Sequence, residues 1–188
     1  VEKQEFEGAV LVDEPDRGAA GVWGIACDER YVYITHSGTH EVSVIDHPRM
    51  LDKFQRCEDK SRLGYDLTFL YGLRKRIPLQ GNGPRNFLVS NNKLIIPTYF
   101  ADILNIVDVN TLSVTAVTMN VGRTETKEQK GEKYFNDAGH CYQGWQSCNG
   151  CHPGDGRTDG MNWDLMNDGV GNPKNCKSLL YSHVTPPN

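Results

Sequence analysis

Nowhere in the 188 residues is there an apolar run near the ~20 residues that a membrane-crossing helix needs. The longest apolar stretches, such as Leu94 to Ile96 and Ile103 to Val107, are short and strand-like. A positively charged start followed by an apolar block is also missing, since Val1 to Glu7 is dominated by charge. If the protein is exported, its signal peptide has been removed or lies outside these residues. An excess of positive charge is lacking too: 20 Lys and Arg against 24 Asp and Glu leave a net charge of -4. The one basic run, Arg74-Lys75-Arg76, is read as a solvated edge. Nucleic acid, which needs a concentrated basic face, is therefore not an expected partner.

What is present falls into two regions. From Val10 to about Asn120 the pattern is β. Val32, Ile34, Val42, Val44, Leu94 and Ile96 alternate with polar or aromatic neighbours, as half-buried strands do. Turn signals at Ser37-Gly38, Gly81-Asn82-Gly83-Pro84, Asn91-Asn92 and Asp108 to Thr111 punctuate them. Gly21 to Asp46 also aligns without gaps on Gly83 to Asp108, a displacement of 62 positions (83 − 21). Tyr31-Val32-Tyr33-Ile34 then meets Lys93-Leu94-Ile95-Ile96, and Val42-Ser43-Val44-Ile45-Asp46 meets Leu104-Asn105-Ile106-Val107-Asp108. Between the copies, Pro48 to Gly72 forms an insertion in which Met50, Leu51 and Phe54 fall at helical spacing, predicting a short helix.

Gly24-Ile25-Ala26, Tyr31-Val32-Tyr33-Ile34-Thr35 and Val42-Ser43-Val44-Ile45-Asp46 together resemble the YVTN-type β-propeller repeats. The second copy departs from that pattern at Pro97, where the repeat has threonine, which suggests an exposed strand end or a bulge. The resemblance implies propeller blades, and two are visible in a fold that closes with about 4–8. The expectation is an incomplete propeller, finished by the rest of a longer polypeptide or by other chains.

After Val121-Gly122 the composition shifts to Gly, Asn, Asp and Trp with few β-branched residues. So little apolar surface invites a cofactor as core, and a boundary is placed near Gly122, giving regions 1–122 and 123–188. Cys148-Asn149-Gly150-Cys151-His152 fits Cys-x-x-Cys-His, the attachment motif of c-type haem. Two thiols add across the two haem vinyl groups, and the adjacent imidazole binds the iron. Zinc would want four Cys or His ligands, and no second Cys-x-x-Cys follows. A thioredoxin-like motif would need a βαβ context, which is missing. Haem c is thus the expected cofactor, with Cys148, Cys151 and His152 holding it and an oxidising compartment, periplasmic or extracellular, as its setting. The sixth iron ligand is left open among Met161, Met166, His140 and His183. Trp145, Trp163 and Tyr142 are read as packing, and Asp155, Asp159, Asp164 and Asp168 as turn residues. Of the other cysteines, Cys27 and Cys57 share the first repeat unit while Cys141 and Cys176 bracket the motif, so disulfides are expected within each pair.

Gly131 to Asp137 reads as a short helix. With Ser147-Cys148-Asn149-Gly150-Cys151-His152, the turn Gly156 to Gly160 and Gly169 to Leu180, it resembles the first haem domain of the bacterial di-haem cytochrome c peroxidase and MauG-like family. The resemblance covers roughly Lys130 to Pro187. It implies a small α-helical cytochrome domain, a second haem domain beyond Asn188, and electron exchange with a small oxidant or a redox protein partner. The family's Arg-Asn-Thr-Pro appears as Lys174-Asn175-Cys176-Lys177, which keeps neither the arginine nor the proline. A non-enzymatic electron carrier with a propeller docking module is the alternative. Propeller and di-haem modules also occur together in hydrazine synthase, and nothing in the residues selects that chemistry.

Overall fold

A computed structural model describes residues 5–120, 122, 124–164 and 169–184. Its centre is a pair of four-stranded antiparallel meanders. The first runs β1 (Val22–Cys27), β2 (Tyr31–His36), β3 (Glu41–Asp46) and β4 (Arg74–Pro78), each strand beside the next. The second repeats the arrangement with β5 (Leu88–Ser90), β6 (Lys93–Pro97), β7 (Ile103–Asp108) and β8 (Val114–Thr118).

The 62-residue displacement maps the first three strands of one meander onto those of the other. The Val22–His36 pair reappears as the Pro84–Thr98 bridge. Ser37 N–H donates to the Gly21 carbonyl at 2.7 Å, as Tyr99 N–H does to Gly83 at 2.9 Å. Gly21 and Gly83 both have φ +72°, a left-handed backbone that glycine adopts without steric penalty. Asp46 accepts from the Arg49 amide at the start of the insertion, and Asp108 accepts from the amides of Asn110 and Thr111. Pro97 ends β6 with its ring exposed, where the missing N–H disturbs no inner ladder.

Alternation along the strands splits the apolar residues between two faces. Tyr33, Val42, Val44 and Ile77 of the first sheet meet Leu94, Ile96, Val107 and Val109 of the second, and this is the main core. The opposite face of the first sheet presents Val32, Ile34 and Ile45, which the insertion covers. There α1 (His47–Gln55), N-capped by Asp46, sets Met50 and Phe54 on that face, and a following 3-10 turn, Lys60–Tyr65, adds Leu63. The long connection thus serves as a lid over a second core.

The basic run is not a solvated edge. β4 places Arg74 and Arg76 on one face, with side chains 0% and 5% exposed, and leaves Lys75 outside. Glu14 receives both arginines, and the fully buried Glu41 receives Arg76 and Arg17. These charges are spent inside the fold, holding residues 12–19 against the first sheet. Beside them His36 is buried, with Nδ1 3.1 Å from the Ala19 carbonyl and Nε2 2.8 Å from the Ser43 hydroxyl.

The segment from Gly122 onward is not the small α-helical domain expected. Among the described residues its only helix longer than a turn is α2 (Lys127–Asn136), closed at its start by a Thr126–Gln129 capping box. Single-turn helices, a two-stranded ribbon of β9 (Asn162–Trp163) and β10 (Lys174–Asn175), and loops make up the rest. The composition explains this: Ala138 is its one fully buried apolar side chain among the described residues. The segment is joined to the sheets through both backbone and side chains. Ala138 N–H donates to Gly38 O at 2.9 Å, and Gly18 N–H to Gln143 O at 3.0 Å. A Cβ on Gly18 would lie 2.4 Å from the Gly144 oxygen, so nothing larger than glycine fits that seam. His40 completes the joint, accepting from Gly83 N–H on Nδ1 and facing Asp137 from Nε2 at 3.0 Å. No helix among the described residues is long and apolar enough to cross a membrane.

Candidate functional site

Cys148–Cys151 forms α3, a single helical turn whose spacing puts residues three apart on one face. The two thiols of the motif therefore share a side, and the amide of His152 closes the turn on the Cys148 carbonyl at 2.9 Å. Ser147, just before it, is buried. Pro153–Gly156, α4, then reverses the chain through three consecutive left-handed residues, Gly154, Asp155 and Gly156. Two glycines make that reversal cheap, and Asp155 tolerates the conformation better than most side chains.

The reversal returns the Arg157 carbonyl to His152, 3.3 Å from Nδ1. A carbonyl only accepts, so Nδ1 is the donor in this contact. This is the tautomer a metal-ligating imidazole uses, with its second nitrogen held by a backbone carbonyl. The Cys176 thiol packs against the same ring, 3.5 Å from Nδ1 and 3.7 Å from Nε2, and its S–H donates to the Cys151 carbonyl at 2.9 Å. Burial raises the Cys151 thiol above its ordinary pKa. Cys176, Asp159, Cys141 and Cys148 add to the effect, so it stays protonated at neutral pH. Among the described residues no three His, Cys, Asp or Glu side chains converge as a metal-ligand set.

A cleft of about 880 Å³ opens beside the motif. One wall is Asn149 with Pro153–Gly156 and Leu179, another is Phe135 and Asn136 of α2, and the sheets contribute Trp23, Arg85 and Tyr99. The volume falls in the range of a cofactor site. Asn149 and Pro153, neighbours of the motif residues, line this cleft, whereas Cys148, Cys151 and His152 themselves do not.

The other expected residues fall as follows. All six cysteines are free thiols, so neither Cys27 with Cys57 nor Cys141 with Cys176 is bonded. Cys57 turns its sulfur to the Asp59 carbonyl, and Cys176 is engaged at His152. Of the candidate sixth ligands, His140 stands edge-on to Tyr134, Met161 and His183 are exposed, and none of the three lines the cleft. Met166 and Asp168 lie outside the described residues. Trp163 donates to Asp159, whose other oxygen accepts from the Met161 amide, a turn role as expected. Trp145 bonds Gln143, and Tyr142 is exposed.

Over 57 residues the chain is 42% identical to the hydrazine synthase subunit gamma of Kuenenia stuttgartiensis. That stretch is 30% of this chain and spans only 16% of the relative. Among solved structures, virginiamycin B lyase from Staphylococcus aureus aligns over 55% of this chain and 29% of its own, at 14% identity and a TM-score of 0.39. No protein-family profile matches.

Sequence reasoning did not find Arg85, Trp23 and Tyr99, the sheet side of the cleft. A signal existed. Arg85 and Trp23 are equivalent positions of the repeat (85 − 23 = 62), as are Tyr99 and Ser37, and at these the two copies share nothing chemically. Positions where a repeat diverges beside its glycine turns are candidates for function rather than fold.

Proposed function

We propose that this chain is a haem c redox protein of the di-haem cytochrome c peroxidase-like type. In this reading residues 1–122 form two blades of a β-propeller, and residues 123–188 carry the haem outside the cytoplasm. Cys148 and Cys151 would hold the ring by thioether bonds. Each thiol adds its sulfur to one vinyl carbon and its hydrogen to the other, so nothing leaves. His152 would supply Nε2 to the iron, oriented by the Arg157 carbonyl. When bound, the haem supplies one-electron exchange; the chain's residues fix it, orient its ligand and wall off one side from water. The observation that carries this reading is the His152–Arg157 contact inside a Cys-x-x-Cys-His turn.

Two further points support it. Each meander has the four antiparallel strands of a propeller blade. The relative matched over 57 residues is named for making hydrazine. Joining two nitrogen atoms changes their oxidation state, so that likeness also points toward redox chemistry. The partner is a small oxidant or a redox protein, with other propeller blades and a second haem domain completing the unit.

Expression with a haem-maturation system, followed by acid-acetone extraction and peptide mass spectrometry, tests the reading. Haem should remain on the peptide carrying Cys148 and Cys151, and Cys148→Ala with Cys151→Ala should release it. Wild-type protein holding zinc and showing no Soret band would overturn it. A high-spin ferric spectrum that changes with peroxide marks catalysis, whereas a low-spin spectrum indifferent to peroxide assigns electron transfer alone.

A further inference from the structure

The same pattern is buried on one sheet and open on the other. In the first sheet Ala26, Tyr33 and Val44 share one rung, and Thr35, Val42 and Ile77 the next, all on one face. Tyr33, Val42, Val44 and Ile77 are buried there against Leu94, Ile96 and Val107 of the second sheet. The 62-residue displacement carries Tyr33, Val42 and Val44 onto Ile95, Leu104 and Ile106 (95 − 33). On the second sheet that face is open. Leu88 and Val117 at its borders are 60% and 44% exposed, Pro97 is exposed, and Ile95, Leu104 and Ile106 are half-buried. An antiparallel sheet facing water normally turns polar residues outward. Here the rungs Leu88–Ile95–Ile106–Thr115 and Pro97–Leu104–Val117 are apolar apart from Thr115.

The far side of the first sheet is finished differently. Val32, Ile34 and Ile45 lie under the insertion, whose outer positions Arg49, Asp52 and Arg56 are charged and exposed. Terminal units of stacked repeats are closed in this way, apolar side inward and charged side outward. On the second sheet the connection equivalent to the insertion, residues 109–113, is a short turn, and the place of the lid is taken by the first sheet itself. We infer that the open face of the second sheet docks a further four-stranded meander of this repeat, and that stacking proceeds from this face alone. The occupant follows from how the two sheets already meet: a Tyr33–Val42–Val44 face takes a Leu94–Ile96–Val107 face. A second copy of the chain has no such face to offer. Its Leu94 side is taken by its own first sheet, and its Val32 side by its own lid. Among the described residues the one remaining sheet is the two-stranded ribbon, so the meander is carried outside these 188 residues. The inference shares the two blades with the functional reading and is independent of the haem.

The probe is a polypeptide of residues 79–118 carrying Leu104→Lys and Ile106→Lys, which presents the Leu94–Ile96–Val107 face and cannot add to itself. It is titrated into the whole chain labelled with carbon-13 at its methyl groups. The methyls of Ile95, Leu104 and Ile106 should shift and saturate at one probe per chain, with Val32, Ile34 and Ile45 unmoved. The shifts should be lost when the whole chain carries Leu104→Lys, or when the probe also carries Leu94→Lys and Val107→Lys. Val117→Lys, at the border of the face, serves if Leu104→Lys does not fold. A probe that precipitates alone is co-expressed with the chain and the product sized by light scattering; recovery of free chain overturns the inference. So does a titration without shifts, or one that moves Val32, Ile34 and Ile45. Shifts of Ile95 and Leu104 that depend on chain concentration without probe give the face to a second copy and overturn it as well. A chain that holds thioether-bound haem but ignores the probe overturns this inference alone, and a chain that takes the probe but no haem overturns the haem reading alone.

Discussion

Lowering the pH should unfold this protein through one imidazole. Burial pushes the His36 pKa from the ordinary 6.5 down to about 4. Of the charges facing it, Glu41 pulls the value up while Arg74 and Arg76 press it further down, and the Ala19 carbonyl also favours the charged form. The unfolded chain therefore takes a proton near pH 6.5 that the folded chain refuses until about pH 4. Stability is lost as pH falls across that window and levels off below it. The gap, 6.5 − 4, at ~1.36 kcal/mol per pH unit amounts to about 3 kcal/mol, most of it gone by pH 4.5. Urea unfolding at pH 7 and pH 4.5 measures this directly. His36→Gln removes the titration, and should cut the wild-type loss between the two pH values by about 2 kcal/mol or more. Carboxylates that titrate lower contribute equally to both proteins. Parallel pH profiles for wild type and variant between pH 6.5 and 4.5 would refute the reasoning.

Gly24→Ala should destabilise by about 1–3 kcal/mol in urea melts, because its Cβ would sit 2.8 Å from the Arg85 oxygen and 2.9 Å from the Thr35 hydroxyl. Asp137→Asn should speed limited proteolysis around α2 at neutral pH by weakening the joint with His40. Burial alone would raise the Asp137 pKa, but the Gly139 amide and the His40 imidazole outweigh it and hold the carboxyl below its ordinary range. Its contribution is thus complete above the ordinary carboxyl pKa and is lost as pH falls through the lowered one. The variant and wild type should be cut at similar rates in strong acid.

Legibility in the sequence followed the source of each element's stability. Strands β2, β3, β6 and β7 were readable because their alternating residues face a core, and the repeat doubled every signal. Asp46 and Asp108 were readable for the same reason, as local caps that act within three residues. Met50 and Phe54 disclosed α1 by spacing, although not that it lids a second core. Arg74 and Arg76 were misread because their partners, Glu14 and Glu41, lie 60 (74 − 14) and 35 (76 − 41) positions away, and no local pattern reports so distant an ion pair. In the candidate site the thiols and imidazole stood in a motif. Arg157 was invisible because it acts through a carbonyl, which every residue has. Arg85 needed the fold to bring it to the cleft. The Cys-rich segment took less helix than expected because few of its side chains have anything to bury.

Part of the seam between the sheets and that segment is written in main chain, Ala138 to Gly38 and Gly18 to Gln143, beside the side-chain contacts of Asp137 with His40 and Asn82. Those two backbone contacts are nearly blind to side-chain identity. Substitutions can drift along both borders without loosening them, glycine at position 18 and the cluster of His40, Asn82 and Asp137 excepted. Insertions and deletions are another matter, since one added residue in either border displaces both contacts at once. Variation across related chains should accordingly be rich in replacements and poor in length changes between Gly18 and Gly38 and between Ala138 and Gln143. A designer grafting another segment onto these sheets would match backbone spacing first and choose the amino acids afterwards.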